Sequence, residues 1–408
     1  MSELTEVLEV KTKEKAAIKE LLLKEARLSF DLSERGINFN KDEIKKLRIE
    51  IAGGITPSLR GGDNLSFKLP HGVVAGGHFT PWTPYSLVIE NRRPVLYDER
   101  TPVGEISFSD RKPHPLREVK LSDGQPFKNI LGLNEESGSV SVGYSNECSL
   151  KDLGEDCLFC TINHRKDENG NRKIILKTPK LIAEAYDLAR QEGLANHFKI
   201  SGGFVPERRE VEYYLDVIEE IRKKYPDFYG SAVIGAPGDL SVIQKYKDAG
   251  YSFLSTNLEV WDKNLFAHVC PGKDKRNGGQ QHWIDSILHA VEVFGKGHSH
   301  TSIIAGFEPK ASFLEGIEFF CSRGAVGQHN RLRPEKDTPL EGLRAATADY
   351  HWEIADKVTD IYIRSGFTMK ELTAKHPHVL TSDLFRIKTG DFEGGKLATW
   401  KYPALKIK

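Results

Sequence analysis

Three of the five cysteines in this 408-residue chain lie close together, at Cys148, Cys157 and Cys160. Each cysteine of a four-iron cluster binds one iron, so three thiolates hold three irons and leave the fourth open for chemistry. The alternating run Ser139-Val140-Ser141-Val142-Gly143-Tyr144 comes directly before them and predicts a strand that ends near the cysteines. We therefore predict a metal centre at the carboxyl end of this strand.

The composition of the chain favours a soluble α/β enzyme. Lys+Arg and Asp+Glu are equal at 58 each, so no overall charge attracts nucleic acid or an anionic membrane. The sequence has no apolar run near the length of about 20 residues that spans a bilayer, and its amino terminus lacks a signal-peptide pattern. Five cysteines, an odd count, do not indicate a disulfide framework. We expect a cytoplasmic protein without membrane or nucleic-acid partners.

Residues 1–135 are predicted to form an N-terminal extension of two helices and irregular β hairpins. The first helix is predicted over residues 13–28, with Leu21 and Leu22 on its buried stripe. The second is expected to begin at the capping residue Asn40 and to end at Gly53-Gly54. Short apolar runs between glycines and prolines then predict strands and hairpins.

Beyond the cysteines, predicted strands and helices alternate regularly. Strands are predicted at residues 197–200, 230–236, 251–258, 300–305 and 325–329, and helices at 207–223, 239–249, 280–294 and 313–321, with an earlier helix opening at Thr178-Pro179. Units of this kind require a parallel sheet, and their number favours a full or partial (β/α) barrel whose catalytic end is formed by the loops after the strands. We assign residues 136–370 to the barrel and residues 371–408 to a C-terminal tail that packs on it.

The cysteine run resembles the cluster-binding loop of the radical S-adenosylmethionine (radical SAM) superfamily. The common spacing in that family is Cys-x3-Cys-x2-Cys, with an aromatic residue just before the last cysteine. Phe159 fills the aromatic place, whereas the first gap here has eight residues instead of three. Three further stretches at the ends of predicted strands are similar to the family's motifs, in the family's order: Ser201-Gly202-Gly203, Asn257-Leu258-Glu259 and Ser302-Ile303-Ile304-Ala305-Gly306-Phe307-Glu308, in which Ile304 and Gly306 match.

The resemblance implies a role in cofactor binding for each stretch. In the family, the glycine motif meets the amino group of the methionine moiety, which implies this role for Ser201, Gly202 and Gly203. The second motif holds the ribose hydroxyls, which implies this role for Asn257 and Glu259; residues two apart on a strand share a face and can converge on one ligand. The third motif packs on adenine, which assigns Ile304 and Gly306 to that contact.

The resemblance also implies the fold and the chemistry. The fold is a TIM-like (β/α) barrel of the radical SAM type with an N-terminal α+β extension, nearest to the biotin synthase and hydrogenase-maturase-like branch. Cys148, Cys157 and Cys160 would bind a [4Fe-4S] cluster, and S-adenosyl-L-methionine would be cleaved reductively to a 5′-deoxyadenosyl radical that abstracts hydrogen from substrate. Such a centre is oxygen-sensitive. The expected partners are a small organic substrate, in cofactor or metabolite biosynthesis, and a reductant such as flavodoxin or ferredoxin.

Two positions depart from the family pattern or extend it. Biotin-synthase-like members pair the methionine carboxylate with an arginine, but Gly279 lies in that neighbourhood here, and Lys273, Lys275 or Arg276 could substitute. Cys270 follows the fourth predicted strand and is the candidate catalytic residue, as a hydrogen-atom donor, a substrate contact or an adventitious ligand. The remaining cysteine, Cys321, is expected in the core.

Two other functions stay open on the sequence. One is a related enzyme that modifies a protein and uses the N-terminal extension as a docking surface. The other is a non-catalytic protein in which the three cysteines and His164 bind structural zinc or an electron-carrying cluster. Zinc sites prefer two close pairs of ligands, which the long gap between Cys148 and Cys157 fits poorly.

Overall fold

A computed structural model describes residues 3–47, 52–53, 63–108, 114–162, 174–276, 278–335, 338–374 and 379–405. The chain divides into two compact units. The smaller unit comprises residues 1–113, 346–363 and 378–399, and the larger one comprises residues 114–345, 364–377 and 400–408. The sequence analysis placed its boundaries at residues 135 and 370. In the structure, the chain after residue 345 alternates between the two units.

The chain begins with a long helix and several short strands. Up to residue 113 the elements are α1 (Glu3–Arg35), β1 (Asn38–Phe39), α2 (Lys41–Lys46), β2 (Ala52–Gly53), β3 (Asp63–Lys68), β4 (Val74–His78), β5 (Tyr85–Glu90), β6 (Arg93–Asp98) and β7 (Thr101–Glu105). A 3₁₀ turn at Pro115–Glu118 is followed by α3 (Phe127–Ile130), β8 (Gly132–Asn134), β9 (Ser139–Gly143), α4 (Ser149–Asp152), α5 (Pro179–Gln191), β10 (His197–Ser201), α6 (Glu207–Arg222), β11 (Gly230–Ile234), α7 (Val242–Ala249), β12 (Phe253–Thr256), α8 (Lys263–Val269), α9 (Pro271–Asp274), α10 (Gln280–Phe294), β13 (Ser299–Ala305), α11 (Lys310–Ser322) and β14 (Val326–Arg331). The last elements are α12 (Ala348–Arg364), α13 (Met369–Thr373) and α14 (Val379–Thr389). Of the helices that the structure describes, none is both long and apolar enough to cross a membrane.

The smaller unit packs helices against two small sheets. Their strand orders are β1-β5-β6-β7 and β2-β3-β4. The predicted hairpin is confirmed, because β5 and β6 pair antiparallel and Glu90 lies opposite Arg93. Helix α1 is longer than predicted; Leu22 is fully buried, but Leu21 is 42% exposed and was wrongly placed on the buried stripe. Asn40 caps α2 as predicted, accepting from the backbone N–H of Asp42 at 3.0 Å.

Helix α2 is shorter than the prediction, and the C-terminal tail contributes to the smaller unit. The helix ends at Lys46, and Gly53 lies in strand β2 instead of ending the helix. Further along, Ile387 of α14 is buried in the same core as Leu22 and Phe67. The burial of that apolar face explains why residues 378–399 belong to this unit.

The larger unit is a partial (β/α) barrel, as predicted. Its seven strands form one curled sheet in the order β14-β13-β12-β11-β10-β9-β8. Strands β9 to β14 run parallel and β8 pairs antiparallel with β9. Thr178 caps α5 as the sequence indicated, since the backbone N–H of Leu181 donates to its hydroxyl at 3.3 Å.

The two faces of the sheet differ in chemistry. On β10, Phe198 and Ile200 are fully buried in the apolar core that lies between the sheet and its helices. Side chains alternate along a strand, so His197, Lys199 and Ser201 face the concave interior of the barrel. The core therefore stabilises the outer face, and the inner face is free to carry polar residues.

The structure forms two short helices, α8 and α9, in the segment after β12, where the sequence analysis predicted no helix. Asp262 caps α8 by accepting from the backbone N–H of Leu265 at 2.9 Å. Pro271 occupies the first position of α9, where a backbone N–H has no partner within the helix, so its missing N–H removes no hydrogen bond. Cys270 lies at the junction of the two helices.

The segment that carries the cysteines is held against the end of β10 by close backbone packing. The backbone N–H of Ser149 donates to the carbonyl of Phe204 at 2.7 Å. A methyl group at Gly203 would overlap the carbonyl oxygen of Glu147, and one at Gly202 would overlap the ring of Tyr144. These two glycines are therefore required by the protein's own packing, whatever ligand they also approach.

We expect Gly203→Ala to destabilise the larger unit by about 1–3 kcal/mol, because the overlapping atom belongs to a backbone carbonyl that cannot rotate away. Gly143→Ala is the matched control at the end of the adjacent strand, since nothing lies within 4 Å of a methyl group built there. Urea unfolding of both variants measures the effect. Equal unfolding free energies for the two variants would contradict this packing.

Candidate functional site

A cavity of about 150 Å³ opens at the carboxyl ends of the barrel strands. Eight of the residues that the sequence singled out line it together: Cys148, Cys157, Phe159, Cys160, Gly202, Gly203, Asn257 and Glu259. They come from the segments that follow β9, β10 and β12, which the parallel topology brings to one edge of the sheet. This arrangement of strand-end residues is what a ligand site on a parallel sheet requires.

The cysteine segment is fixed on two sides. Cys148 precedes α4 and is buried, whereas Cys157 and Cys160 lie in a tight turn in which the Cys160 N–H donates to the Cys157 carbonyl at 3.0 Å. Between them, the Leu158 N–H donates to the carbonyl of Val269 at 2.9 Å. The segment therefore rests on the end of α8, and its thiols are held in place by backbone bonds.

The environments of the thiols differ. A hydrogen bond with Cys270 lowers the pKa of Cys157 despite its burial, and the nearby Lys273 ammonium acts in the same direction. Burial raises the pKa of Cys160 to about 12. Cys270 itself is fully buried, does not line the cavity, and has a pKa raised by burial. The candidate catalytic residue thus lies behind Cys157 and not in the open space of the cavity.

The thiols do not surround one point. Within the described ranges, no three His, Cys, Asp or Glu side chains are placed as ligands of a single ion would be. The ligands of a four-iron cluster bind separate irons, so a cluster does not need such a convergence. His164, the zinc ligand of the alternative interpretation, lies outside the described residues.

Asn257 and Glu259 both line the cavity from the segment that follows β12. Glu259 has a positive φ of 78°, a conformation uncommon for a non-glycine residue. It is held there by backbone bonds to β13, with its N–H donating to the carbonyl of Ser302 at 2.8 Å and its carbonyl accepting from Ile304 at 2.8 Å. Strain of this kind persists only where the surroundings impose it, and it directs the Glu259 carboxylate into the cavity.

Lys273 is the cation of the cavity. Its ammonium donates to the Asn257 carbonyl at 2.8 Å and to Glu259 Oε1 at 3.4 Å, and it lies 4.4 Å from the centre of the Trp283 ring. Burial alone would lower its pKa, but the negative charges of Glu259 and the neighbouring thiols outweigh burial and raise it. The ammonium therefore stays charged.

The other two cationic candidates lie elsewhere. Lys275 and Arg276 both bind the Glu155 carboxylate, at 2.9 and 2.7 Å, and neither lines the cavity. Of the three substitutes suggested by the sequence, Lys273 alone lines the cavity.

Glu210 is a cavity residue that the sequence reasoning missed. It lies in the first turn of α6, is only 7% exposed, and accepts from the Gly235 N–H at 3.3 Å. Burial raises its pKa to about 8, and the Gly235 N–H and Tyr246 only partly oppose this shift. An acidic residue in a charged helical turn gave no sequence signal that distinguished it from a solvent-exposed one.

Besides Cys270, three residues of the predicted set do not line the cavity: Ser201, Ile304 and Gly306. Ser201 donates to the Val142 carbonyl at 3.4 Å, and Ile304 is buried in β13.

Glu308, in the same stretch as Ile304, accepts from the N–H groups of Trp261 and Asp262 at 2.8 and 3.0 Å. It therefore orders the start of α8. Phe307 lies 5.9 Å from Phe159, measured between ring centres.

Comparison with characterised proteins gives two informative sequence relatives. Over 267 residues the chain is 28% identical to the bacteriochlorophyllide c C-7(1)-hydroxylase of Chlorobaculum limnaeum. This match covers 61% of this chain and 65% of that protein. Over 192 residues it is 27% identical to 5-amino-6-(D-ribitylamino)uracil–L-tyrosine 4-hydroxyphenyl transferase 2 of Methanosarcina barkeri, covering 42% of this chain and 45% of that protein. The chain thus spans between about half and two thirds of the length of these relatives. No family model matches it.

Among solved structures, the FeFe-hydrogenase maturase HydG from Carboxydothermus hydrogenoformans superimposes with a TM-score of 0.44 at 13% identity, over 64% of this chain and 57% of HydG. That score is too low to carry weight. The similarity to known proteins therefore comes from the sequence relatives. The chain is similar to enzymes of the radical S-adenosylmethionine superfamily.

Proposed function

We propose that this protein is a radical SAM enzyme that binds a [4Fe-4S] cluster through Cys148, Cys157 and Cys160 and cleaves S-adenosylmethionine in the adjoining cavity. The observation that carries the proposal is the common cavity, which brings the three thiols next to Gly202-Gly203 and to Asn257 and Glu259. No other set of cysteines in the sequence has a comparable spacing.

The donor set fits such a cluster. Three thiols at the mouth of one cavity supply three soft ligands, which iron–sulfur clusters prefer. Burial that keeps Cys160 protonated without metal would be overcome by the positive charge of the irons, which deprotonates coordinating thiols. When bound, the cluster would supply the electron that breaks a carbon–sulfur bond of S-adenosylmethionine and so gives the 5′-deoxyadenosyl radical that abstracts hydrogen from substrate.

The chain's own residues would position the nucleoside and exclude water. Asn257 and Glu259 face the cavity from one strand end and offer an amide and a carboxylate to the ribose hydroxyls. Gly202 and Gly203 also line the cavity and would meet the amino group of the methionine moiety through their backbone. Lys273, charged and fixed between these groups, would receive the methionine carboxylate in place of the arginine that this sequence lacks.

A small organic substrate is favoured over a protein. The two relatives are named for action on bacteriochlorophyllide c, and on 5-amino-6-(D-ribitylamino)uracil with L-tyrosine. We extend the small-molecule class, and not those compounds, to this chain. A reductant such as flavodoxin or ferredoxin would deliver the electron.

We expect the anaerobically reconstituted protein to be brown and to form 5′-deoxyadenosine when it receives dithionite and S-adenosylmethionine. Cys157→Ala should abolish this product, because it removes one of three iron ligands. Cys321→Ala is the control, since Cys321 is buried on α11 outside the cavity, and it should retain iron and product. A colourless, zinc-loaded protein that gives no 5′-deoxyadenosine would favour the non-catalytic alternative.

We expect Lys273→Met to weaken S-adenosylmethionine binding by about tenfold or more, the usual effect of losing a charged hydrogen bond. Lys275→Met should change the affinity by less than about twofold, because Arg276 still pairs with Glu155. Calorimetric titration of the reconstituted variants gives both dissociation constants. Wild-type affinity in Lys273→Met would exclude this role.

The stability of the same variants separates binding from folding. Lys273→Met leaves Glu259 buried without its counter-charge, which costs on the order of 3–5 kcal/mol. The double variant Lys273→Met/Glu259→Gln should recover much of that stability but not the affinity. A double variant that binds like wild type would show that the single variant was only misfolded.

Glu210 should make stability depend on pH. Its pKa is raised from 4.5 to about 8 in the folded protein, so within that interval the folded state holds a proton that the unfolded chain has lost. The stability that protonated Glu210 contributes is therefore fully present below pH 4.5 and is lost as pH rises through about 8. This contribution is on the order of a few kcal/mol. Glu210→Gln should flatten the decline, as measured by urea unfolding across this interval. Parallel profiles for the two proteins would contradict the burial of an uncharged carboxyl.

A further inference from the structure

The interior of the barrel carries a row of polar side chains below the cavity. Lys199 of β10 lies two residues before the strand's carboxyl end, about 7 Å below it. In the sheet register it is opposite Ser141 of β9 on one side and Ser231 of β11 on the other. Opposed residues of neighbouring parallel strands face the same way, so an ammonium group is flanked by two hydroxyls on the concave face.

Two members of this row lack partners in the part of the chain that the structure describes. Ser231 is fully buried, and no described group hydrogen-bonds to its hydroxyl. Lys199 is partly exposed, and among the residues that the structure describes its ammonium has no hydrogen bond or ion pair. Burial accordingly lowers the pKa of Lys199, and no carboxylate opposes that shift. Buried polar groups are usually satisfied, so the Ser231 hydroxyl and the Lys199 ammonium together offer two donors to a ligand oxygen.

The row is closed from below. His197, on the same face of β10 and nearer the amino end, is only 2% exposed. Its ring stacks on Tyr402, with 4.6 Å between ring centres, and meets Tyr229 edge-on at 5.5 Å. These rings form a floor, so a ligand would reach Lys199 from the carboxyl ends of the strands, where the cavity opens.

We propose that Lys199, Ser141 and Ser231 form a subsite that binds a carboxylate of the substrate in the barrel interior. The assignment of this subsite to the substrate rests on the proposed function. The substrate class that it implies is a small molecule that bears a carboxylate. The rest of the molecule would extend from the subsite toward the cavity at the strand ends.

The charge of the subsite selects a carboxylate over a phosphate. One ammonium and two hydroxyls match a monoanion with two oxygen acceptors. A phosphate carries up to two charges and is usually met by several cations or by a helix N-terminus. The described residues of the row supply a single cation, Lys199.

Benzoate tests the subsite, with benzamide as its neutral counterpart and inorganic phosphate as the competing anion. Ligand-observed NMR on the full chain gives the affinities without S-adenosylmethionine or reductant. We expect millimolar benzoate binding and weaker benzamide binding. Lys199→Met should reduce benzoate affinity about tenfold or more, Lys199→Arg should retain most of it, and Ser231→Ala should reduce it about threefold.

Lys177→Met is the matched control. Lys177 is also partly exposed with a lowered pKa, but its ammonium donates to the Ile130 carbonyl at 2.9 Å. This variant should bind benzoate like wild type. Thermal melting checks folding, and Lys199→Gln is a second neutral variant if Lys199→Met does not fold.

The proposal is overturned if wild type does not bind benzoate, if the Lys199 variants bind it equally well, or if phosphate binds in its place. Because the measurement involves no turnover, its outcome is independent of whether the protein cleaves S-adenosylmethionine. A lysine-dependent benzoate site in a protein that forms no 5′-deoxyadenosine would keep the subsite and reject the proposed function.

Discussion

The position of the cysteine segment depends on backbone contacts at both of its sides. On one side it packs against the end of β10, where Gly203 admits the Glu147 carbonyl and Phe204 accepts from Ser149. On the other side Leu158 donates to Val269 at the end of α8. Since α8 in turn begins at residues ordered by Glu308, the thiols are held by β10, β12 and β13 together. A gap of eight residues between the first two cysteines is compatible with this support, because α4 fills part of it.

Ionisable side chains of the larger unit have three different kinds of electrostatic surroundings. Lys273 and Glu259 form an ion pair in the cavity wall, and the raised pKa of Lys273 keeps its ammonium charged. Burial raises the pKa of Glu210, which leaves it mostly uncharged at neutral pH. Lys199, in the barrel interior, has a charge without a counter-ion among the described residues. A paired ion is stable without ligand, whereas an unpaired ammonium gains most when an anion arrives.

Much of the barrel could be predicted from the sequence, because most of its parallel strands are short apolar runs and its helices repeat apolar residues at helical spacing. The helix at Gln280–Phe294 was predicted to the residue, and the grouping of eight site residues in one cavity followed from strand order. Helices α8 and α9 were missed although Asp262 and Pro271 marked their starts, since each is too short to show a clear period. Glu210 and Lys199 could not be found, because their importance lies in long-range burial that no local pattern encodes.

The central claim is that three protein sulfurs, and no fourth protein atom, hold the cluster while S-adenosylmethionine is bound. Mössbauer spectroscopy of protein reconstituted with ⁵⁷Fe, with and without S-adenosylmethionine, tests it most directly. We predict about four irons per chain, of which one changes its spectrum when S-adenosylmethionine is added. Four irons that remain alike and unaffected by S-adenosylmethionine would contradict the account.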